Sequence, residues 1–191
     1  MAERAPRESG RILLIRHGET DDNRPPLRAQ GWRDTPLNDT GRRQAREAAI
    51  RLASGPTIGS LWSSDLSRAT ETAEILGSML DLRPHLDCRL REGSRGRWEG
   101  SLFIDIEREE PELYGAWRRA GDDFRFPGGE SLLEHQTRVA AAVGEIRAIG
   151  PPPAAVVCHG GSIRVLLCLA DPRGLDAFHS FVVPNLAVVA L

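Results

Sequence analysis

The chain has 191 residues, of which 40% are hydrophobic and 27% are charged, the balance of a soluble globular protein with one sizeable core. All 25 basic residues are arginine, which excludes Schiff-base lysines, phosphate-loop lysines and Ser–Lys dyads. The arginines are interspersed with 27 acidic residues, so a nucleic-acid-binding surface is not expected.

The ends and the apolar runs of the chain suggest where the protein resides. No run approaches the roughly 20 apolar residues that a helix needs to cross a bilayer, so we expect no membrane association. The first ten residues are polar and lack the apolar core of a signal peptide; we expect them to form a flexible tail. These features predict a cytoplasmic protein.

Strand and helix patterns alternate along most of the chain. Short apolar runs predict strands at 11–15, 58–62 and 154–158, with extended segments at 83–90 and a final extended pair at 180–190. Helical spacing predicts helices at 41–54, 65–80, 131–149 and 161–170, with Thr40 capping the first and Asp65 or Ser67 the second. The alternation predicts an α/β fold, a three-layer α/β/α sandwich with a mostly parallel central sheet.

The pattern loosens between about residues 94 and 130. Two short helices are predicted there, at about 101–109 and 111–119, followed by Gly, Asp and Pro. The segment is too short to bury a core of its own. We therefore expect a single domain over 1–191 that carries a small helical lid or insertion.

Two of the predicted buried strands end in the same way. Arg16-His17-Gly18 follows the first strand, and His159-Gly160-Gly161 follows the strand at 154–158. The carboxyl ends of parallel strands form the usual ligand crevice, so both histidines should project into it. Glycine after each histidine lets the backbone turn sharply and expose amide donors.

A third segment, SSDLSRATETA at 63–73, leads from a strand into a helix. Arg68 lies in the first turn, where helix-terminal amides and a guanidinium both suit an anion. Together with Arg16 it supplies two permanently charged forks that match phosphate oxygens. These residues predict a site for a phosphoryl group.

The order of the motifs resembles that of the histidine phosphatase superfamily, in its phosphoglycerate mutase-like branch. The matching blocks are RHGET at 16–20 with Asn23 and QGW at 30–32, SSDLSRATETA at 63–73, LRE at 90–92 with GRWEG at 96–100, PGGES at 127–131 and CHGGSIR at 158–164. They cover the chain from about residue 11 to 190. The resemblance implies a phosphatase, similar to α-ribazole phosphatase, that acts on a small phosphorylated metabolite without a cofactor.

The resemblance also implies roles for individual residues. His17 would be the nucleophile that becomes phosphorylated, with His159 as its partner across the phosphoryl group. Arg16 and Arg68 would hold the phosphoryl oxygens, and Glu92 would be the general acid for the leaving group. Further contacts to the substrate phosphate would come from Asn23, Gln30, Gly31 and the Gly160 amide.

Elementary chemistry agrees with these roles. A neutral imidazole is a competent nucleophile, and phosphoryl transfer needs mainly charge stabilisation around the equatorial oxygens. Two arginines and a protonated His159 would supply that stabilisation. The other histidines, His85, His135 and His179, are expected to be structural or on the surface. No pair has the HxxxH spacing of metal ligands, so no metal is predicted.

The chain departs from the family pattern after Glu92. The family usually continues with an apolar residue and then an aromatic one before the glycine, but this chain has Gly93, Ser94 and Arg95. If Arg95 faces the crevice, it would favour a substrate with a second anionic group, such as a phosphate or a carboxylate. Alternatively, Arg95 points to solvent or pairs with an acidic residue of the 105–112 segment.

Other activities stay open on the sequence alone. The chain lacks the longer insertion of the glycolytic mutases, which favours a phosphatase over a phosphoglycerate mutase. A non-catalytic binding or regulatory protein on the same scaffold is the third alternative, and the presence of every expected site residue argues against it. The oligomeric state is not determined, and a homodimer stays open.

Overall fold

The computed structural model describes residues 11–119, 121 and 124–191, so the predicted tail at 1–10 lies outside the described residues. Its central sheet has the strand order β3-β2-β4-β1-β5. These strands are β1 (Ile12–Arg16), β2 (Ser60–Ser63), β3 (His85–Leu86), β4 (Ala154–Cys158) and β5 (Val188–Ala190). The first four run parallel to one another, and β5 pairs antiparallel with β1.

Helices cover both faces of the sheet. These are α1 (Asp39–Ala53), α2 (Ser67–Leu80), α3 (Phe103–Glu109), α4 (Pro111–Arg118), α5 (Leu132–Ile149) and α6 (Gly160–Leu167). Helices α1 and α2 pack on one face and α5 and α6 on the other. The predicted three-layer α/β fold is confirmed.

The central strand β4 explains why the sheet is buried on both sides. All five of its residues are buried, and they alternate between the two cores. Ala154, Val156 and Cys158 face the α5–α6 side, whereas Ala155 and Val157 face the α1–α2 side. A continuous apolar run is the expected sequence of a strand covered on both faces.

The first two helix caps were predicted wrongly. The N-cap of α1 is Asn38, whose side chain accepts a hydrogen bond from the Gly41 amide, so the helix begins two residues before the predicted start and Thr40 lies inside it. The N-cap of α2 is Leu66, which has no side-chain cap. A long-range partner takes over this role, because Asp34 accepts from the Ser67 amide at 2.7 Å.

The predicted extended pair at 180–190 is also corrected. A 3-10 helix over Gly174–Ser180 precedes an irregular segment, and only Val188–Ala190 forms a strand. The irregular segment serves the two strand-end residues of β1: the Val183 carbonyl accepts from Arg16 and the Asn185 side chain donates to the His17 carbonyl. These hydrogen bonds to Arg16 and His17 take the place of the regular strand pairing that was predicted for this segment.

The segment containing α3 and α4 builds a third apolar cluster beside the sheet. Trp98, Trp117 and Phe126 pack there against Val165 and Cys168, which lie at the α6 end of the domain. The bounds of the two short helices agree closely with those predicted, although residues 120, 122 and 123 lie outside the described part. Within the described ranges, no helix is both long and apolar enough to cross a membrane.

Candidate active site

A cavity of about 390 Å³ opens at the carboxyl ends of β1 and β4. Seven of the nine predicted site residues line it: Arg16, His17, Asn23, Gln30, Gly31, Glu92 and Gly160. The other two, Arg68 and His159, are completely buried directly behind this lining. His159 contacts His17, with ring centroids 5.2 Å apart, and Arg68 donates to the Gly31 carbonyl. The fold therefore brings all nine residues together.

The ring of His17 is oriented by its own backbone. Its Nδ1 lies 2.7 Å from the Gly18 carbonyl oxygen, which can only accept, so Nδ1 carries the proton. Nε2 is then the nitrogen with a free lone pair. Burial, followed by the charges of Arg68 and Arg16, lowers the pKa of His17 well below its usual value. His17 is neutral at neutral pH, as its predicted role requires.

His159 differs from the expectation of a protonated partner. Burial lowers its pKa well below the usual value, and Arg68 and His17 add to the shift. The side chain is therefore neutral in the ligand-free site. Its Nε2 is 2.9 Å from the Ser64 hydroxyl, whereas its Nδ1 is buried without a hydrogen-bond partner. A bound anion would be needed to favour protonation here.

The two arginines are fixed by backbone carbonyls rather than by acidic side chains. Arg16 donates to the Val183 carbonyl at 2.6 Å, and Arg68 donates to the Gly31 and Arg33 carbonyls at 2.8 Å each. The Nε atom of each guanidinium is buried without a partner. Burial lowers the pKa of Arg68 to about 10, so both groups stay charged and keep donors available for an anion.

Glu92 is held as a carboxylate in the free site. Its Oε2 accepts from the Gly161 amide at 2.8 Å and its Oε1 from the Gly93 amide at 3.0 Å. Burial by itself would raise its pKa, but Arg95, His135 and the two amides outweigh burial and lower the pKa to about 2. Residue 161 must be glycine, because a Cβ there would collide with the Glu92 carboxylate.

His135 was expected to be structural or on the surface, but it is buried beside the Glu92 carboxylate. Its Nε2 lies 3.0 Å from the Ser162 hydroxyl and 3.7 Å from Glu92 Oε1. That hydroxyl donates to the Arg91 carbonyl, so His135 donates to it through Nε2–H. The ring also explains Gly93, since a Cβ at residue 93 would lie 2.8 Å from His135 Nδ1.

Arg138 is a second residue that the sequence did not single out. Its guanidinium donates to the carbonyls of Arg89, Arg91 and Glu92 and forms an ion pair with Glu130 at 2.7 Å. It therefore fixes the backbone that carries Glu92. The only sequence feature that could have indicated this role is its position after the PGGES block. An arginine on a helix usually faces solvent, so the residue was not singled out.

Two of the residues predicted to contact the substrate phosphate, Gln30 and Asn23, are both hydrogen-bonded to Thr20. Gln30 donates to the Thr20 hydroxyl, and the Thr20 amide donates to the Asn23 side chain at 3.1 Å. The Asn23 Nδ2 is buried without a partner and is the donor left for a ligand. Gly31, at φ +54°, lines the cavity, and its carbonyl accepts from Arg68.

Arg95 lies inside the cavity wall. Only 8% of the residue is exposed, and among the described residues it forms no ion pair with an acidic residue of the 105–112 segment, where Glu110 pairs with Arg97. The alternative of a solvent-facing or ion-paired Arg95 is therefore wrong.

Across the residues that the structure describes, no group of three or more His, Cys, Asp or Glu side chains is arranged to hold a metal ion.

Comparison with known proteins agrees with this geometry. Phosphoglycerate mutase-like protein 4 of Arabidopsis thaliana is 38% identical over 84% of this chain and 71% of that protein. Glucosyl-3-phosphoglycerate phosphatase of Mycolicibacterium vanbaalenii is 37% identical over 82% of this chain and 72% of its own. The solved structure of a mycobacterial glucosyl-3-phosphoglycerate phosphatase superposes with a TM-score of 0.82 at 32% identity, covering 94% of this chain and 88% of that one.

A family model matches almost the whole described chain, over residues 12–191, and is that of the histidine phosphatase superfamily, branch 1. The relatives include named phosphatases, and the expectation that this chain is a phosphatase is confirmed. A phosphohistidine intermediate is typical of the family. The chain belongs to the histidine phosphatase superfamily, branch 1.

Proposed function

We propose that this phosphatase is a metal-independent cytoplasmic phosphomonoesterase that transfers the phosphoryl group of a small metabolite to Nε2 of His17 and then to water. The single observation that carries this proposal is the hydrogen bond from His17 Nδ1–H to the Gly18 carbonyl, which leaves Nε2 unprotonated at the cavity. Relatives named glucosyl-3-phosphoglycerate phosphatase favour a phosphorylated sugar or glycerate as the substrate.

In the first step, the His17 Nε2 lone pair attacks phosphorus and the P–O bond to the leaving group breaks. Arg16, Arg68 and the unpartnered Nδ1 of His159 would stabilise the phosphoryl oxygens, because each has a buried nitrogen without a partner. Glu92 donates the proton that the leaving oxygen needs. In the second step, water attacks phosphorus, Glu92 takes back a proton, and His17 is released.

Glu92 has to gain a proton before the first step. Its pKa of about 2 belongs to the free site, where Arg95, His135 and two amides favour the carboxylate. A phosphate dianion bound beside the carboxylate adds like charge and raises that pKa. The proton therefore enters with substrate binding, and the same dianion favours protonation of His159.

The test is phosphate release from p-nitrophenyl phosphate and from 3-phosphoglycerate in the presence of EDTA. We expect full activity with the chelator, because Arg16, Arg68 and His159 would stabilise the phosphoryl oxygens without a metal ion. Activity that disappears with EDTA and returns with magnesium or manganese contradicts the metal-independent mechanism. Isomerisation of 3-phosphoglycerate in the presence of 2,3-bisphosphoglycerate, if much faster than phosphate release, contradicts hydrolysis and favours a mutase.

A further inference from the structure

The cavity carries more positive charge than a phosphoryl group uses. Five arginines line it, together with the carboxylates of Asp22 and Glu92. Asp22 lies 3.3 Å from Arg33 and Glu92 is bound by two backbone amides, so both acids are engaged. A transferring phosphoryl group takes Arg16 and Arg68 in the proposed mechanism. Arg95 and Arg164 remain for a further anion, with the Glu92 carboxylate as the charge that acts on both.

Arg95 packs against aromatic rings and keeps one hydrogen-bond donor without a partner. Its guanidinium carbon lies 4.3 Å from the Phe126 ring centroid and 5.8 Å from that of Trp117. Contact with ring faces compensates part of the cost of burying a cation. Its Nη1 atom is nevertheless buried without a hydrogen-bond partner. A buried guanidinium donor of this kind is a costly feature unless a ligand completes it.

Arg164 faces the same cavity from α6. Its guanidinium carbon lies 5.6 Å from the Phe178 ring centroid, and its Nε is buried without a partner. Burial is the largest cause that lowers the pKa of Arg95, and the charge of Arg164 lowers it further. The two guanidinium groups therefore repel each other, and the Glu92 carboxylate offsets part of this repulsion by raising the pKa of both.

The other neighbouring acids have partners of their own. Glu110 pairs with Arg97 and Glu130 with Arg138. Glu99 accepts from the backbone amides of Arg95 and Trp32 instead of contacting a guanidinium. In the described part of the chain, neither Arg95 nor Arg164 forms an ion pair.

We propose that Arg95 and Arg164 bind a second anionic group of the substrate, a carboxylate or a second phosphate, while the scissile phosphoryl group lies at His17. This inference rests on the proposed function and narrows its substrate class to phosphorylated metabolites with another anion within the same cavity. Bidentate guanidinium donors suit both kinds of anion.

Matched substrate pairs test the proposal. 3-Phosphoglycerate and glycerol 3-phosphate differ by a carboxylate, and fructose 1,6-bisphosphate and fructose 6-phosphate differ by a phosphate. In the parent, kcat/KM should be about 10- to 100-fold higher for the member with the second anionic group in at least one pair, and the pair that shows the preference identifies that group. Arg95→Met keeps the stem over Phe126 and should abolish that preference, measured as the ratio of kcat/KM between the two members of a pair, because the loss of its charge beside Glu92 affects both members alike.

A binding experiment separates this inference from the proposed chemistry. In His17→Ala, calorimetry measures the affinity for all four compounds without turnover. Adding Arg95→Met or Arg164→Met should weaken binding of the preferred compound about tenfold and leave its partner nearly unchanged. The loss must be selective: equal weakening of both members, or none, overturns the proposal even if phosphate release is confirmed.

Arg97→Met is the matched control. It lies two residues from Arg95, but its side chain is largely exposed and pairs with Glu110. It should leave both substrate preference and affinity unchanged. If Arg97→Met reproduces the selective loss, a general positive field and not a specific subsite is responsible, and the proposal fails.

Discussion

The two ends of the cavity are built in different ways. The inner end consists of Arg16, His17, Arg68, Glu92 and His159, and the outer wall consists of Arg95, Trp117, Arg164 and His179. Backbone groups hold the inner end: Val183, Gly31 and Arg33 carbonyls bind the arginines, Gly18 binds His17, and the Gly93 and Gly161 amides bind Glu92. Side-chain packing holds the outer wall.

This difference separates the chemistry from the selection of substrate. Backbone groups depend less on the identity of individual side chains than aromatic packing does, so we expect the inner end to determine the reaction. The outer wall depends on one aromatic cluster, in which His179 contacts the Trp117 carbonyl and Arg95 lies over Phe126. Changes at the inner end should therefore affect all substrates equally, and changes at the outer wall should affect some substrates only.

The largest effect is expected for His17→Ala. Removing the proposed nucleophile should lower kcat at least about 1000-fold on every substrate, because the proposed reaction passes through a phosphoryl group on His17 Nε2. The parent, quenched during turnover, should carry an alkali-stable and acid-labile phosphate that the variant lacks. His85→Ala, which removes an exposed histidine packed on Trp62, is the matched control and should retain activity. Near-normal turnover of His17→Ala would remove His17 from its role.

Arg68→Met should have the next largest effect. The variant loses a buried charge and the donors that Arg68 supplies to the Gly31 and Arg33 carbonyls, of which the Arg33 carbonyl keeps the Thr35 amide. We expect a loss of about 100-fold in kcat/KM on all substrates alike and about 2–4 kcal/mol in the free energy of unfolding. Steady-state kinetics and urea denaturation measure the two effects. Arg43→Met, on the exposed face of α1, should change neither, and a substrate-selective loss in Arg68→Met would contradict the division between the two ends.

The smallest effect concerns the pH dependence of stability at His135. Burial is the main cause that lowers its pKa from 6.5 to about 4, against the charge of Glu92 and with that of Arg138. The unfolded chain then binds more protons than the native one, so stability is lost as the pH falls from about 6.5 to about 4. The unfolding free energy of the parent should decrease between about pH 7 and about pH 4.5 by roughly 2 kcal/mol more than that of His135→Gln, which can still donate to Ser162.

Thermal or urea unfolding at both pH values measures this difference. His85→Gln, an exposed histidine, should behave like the parent. The same loss in parent and His135→Gln would mean that His135 is not a neutral buried group in the native protein. His135 packs beside Glu92 at the edge of the inner end. The result therefore also tests whether the groups around Glu92 are as tightly packed as the rest of the inner end.

The sequence by itself determined the sheet, the helices around it and the inner end of the cavity. Apolar runs predicted β1 and β4 because a strand covered on both faces must be continuously apolar. The arginines and histidines after these strands could be placed because parallel strand ends meet at one edge. Such patterns are local, so they are readable one segment at a time.

Only the tertiary structure decided the features that depend on contacts distant in sequence. Asn38 caps α1, and Asp34 replaces the predicted cap of α2 from 33 residues away. The glycine at residue 93 is explained by the ring of His135, which lies on α5 and would be too close to a Cβ there. The neutral state of His159 and the ionised state of Glu92 depend on burial and on charges from several elements, and the placement of Arg95 depends on the ring of Phe126. Burial and electrostatic fields are sums over the whole fold, and no single segment of sequence contains them.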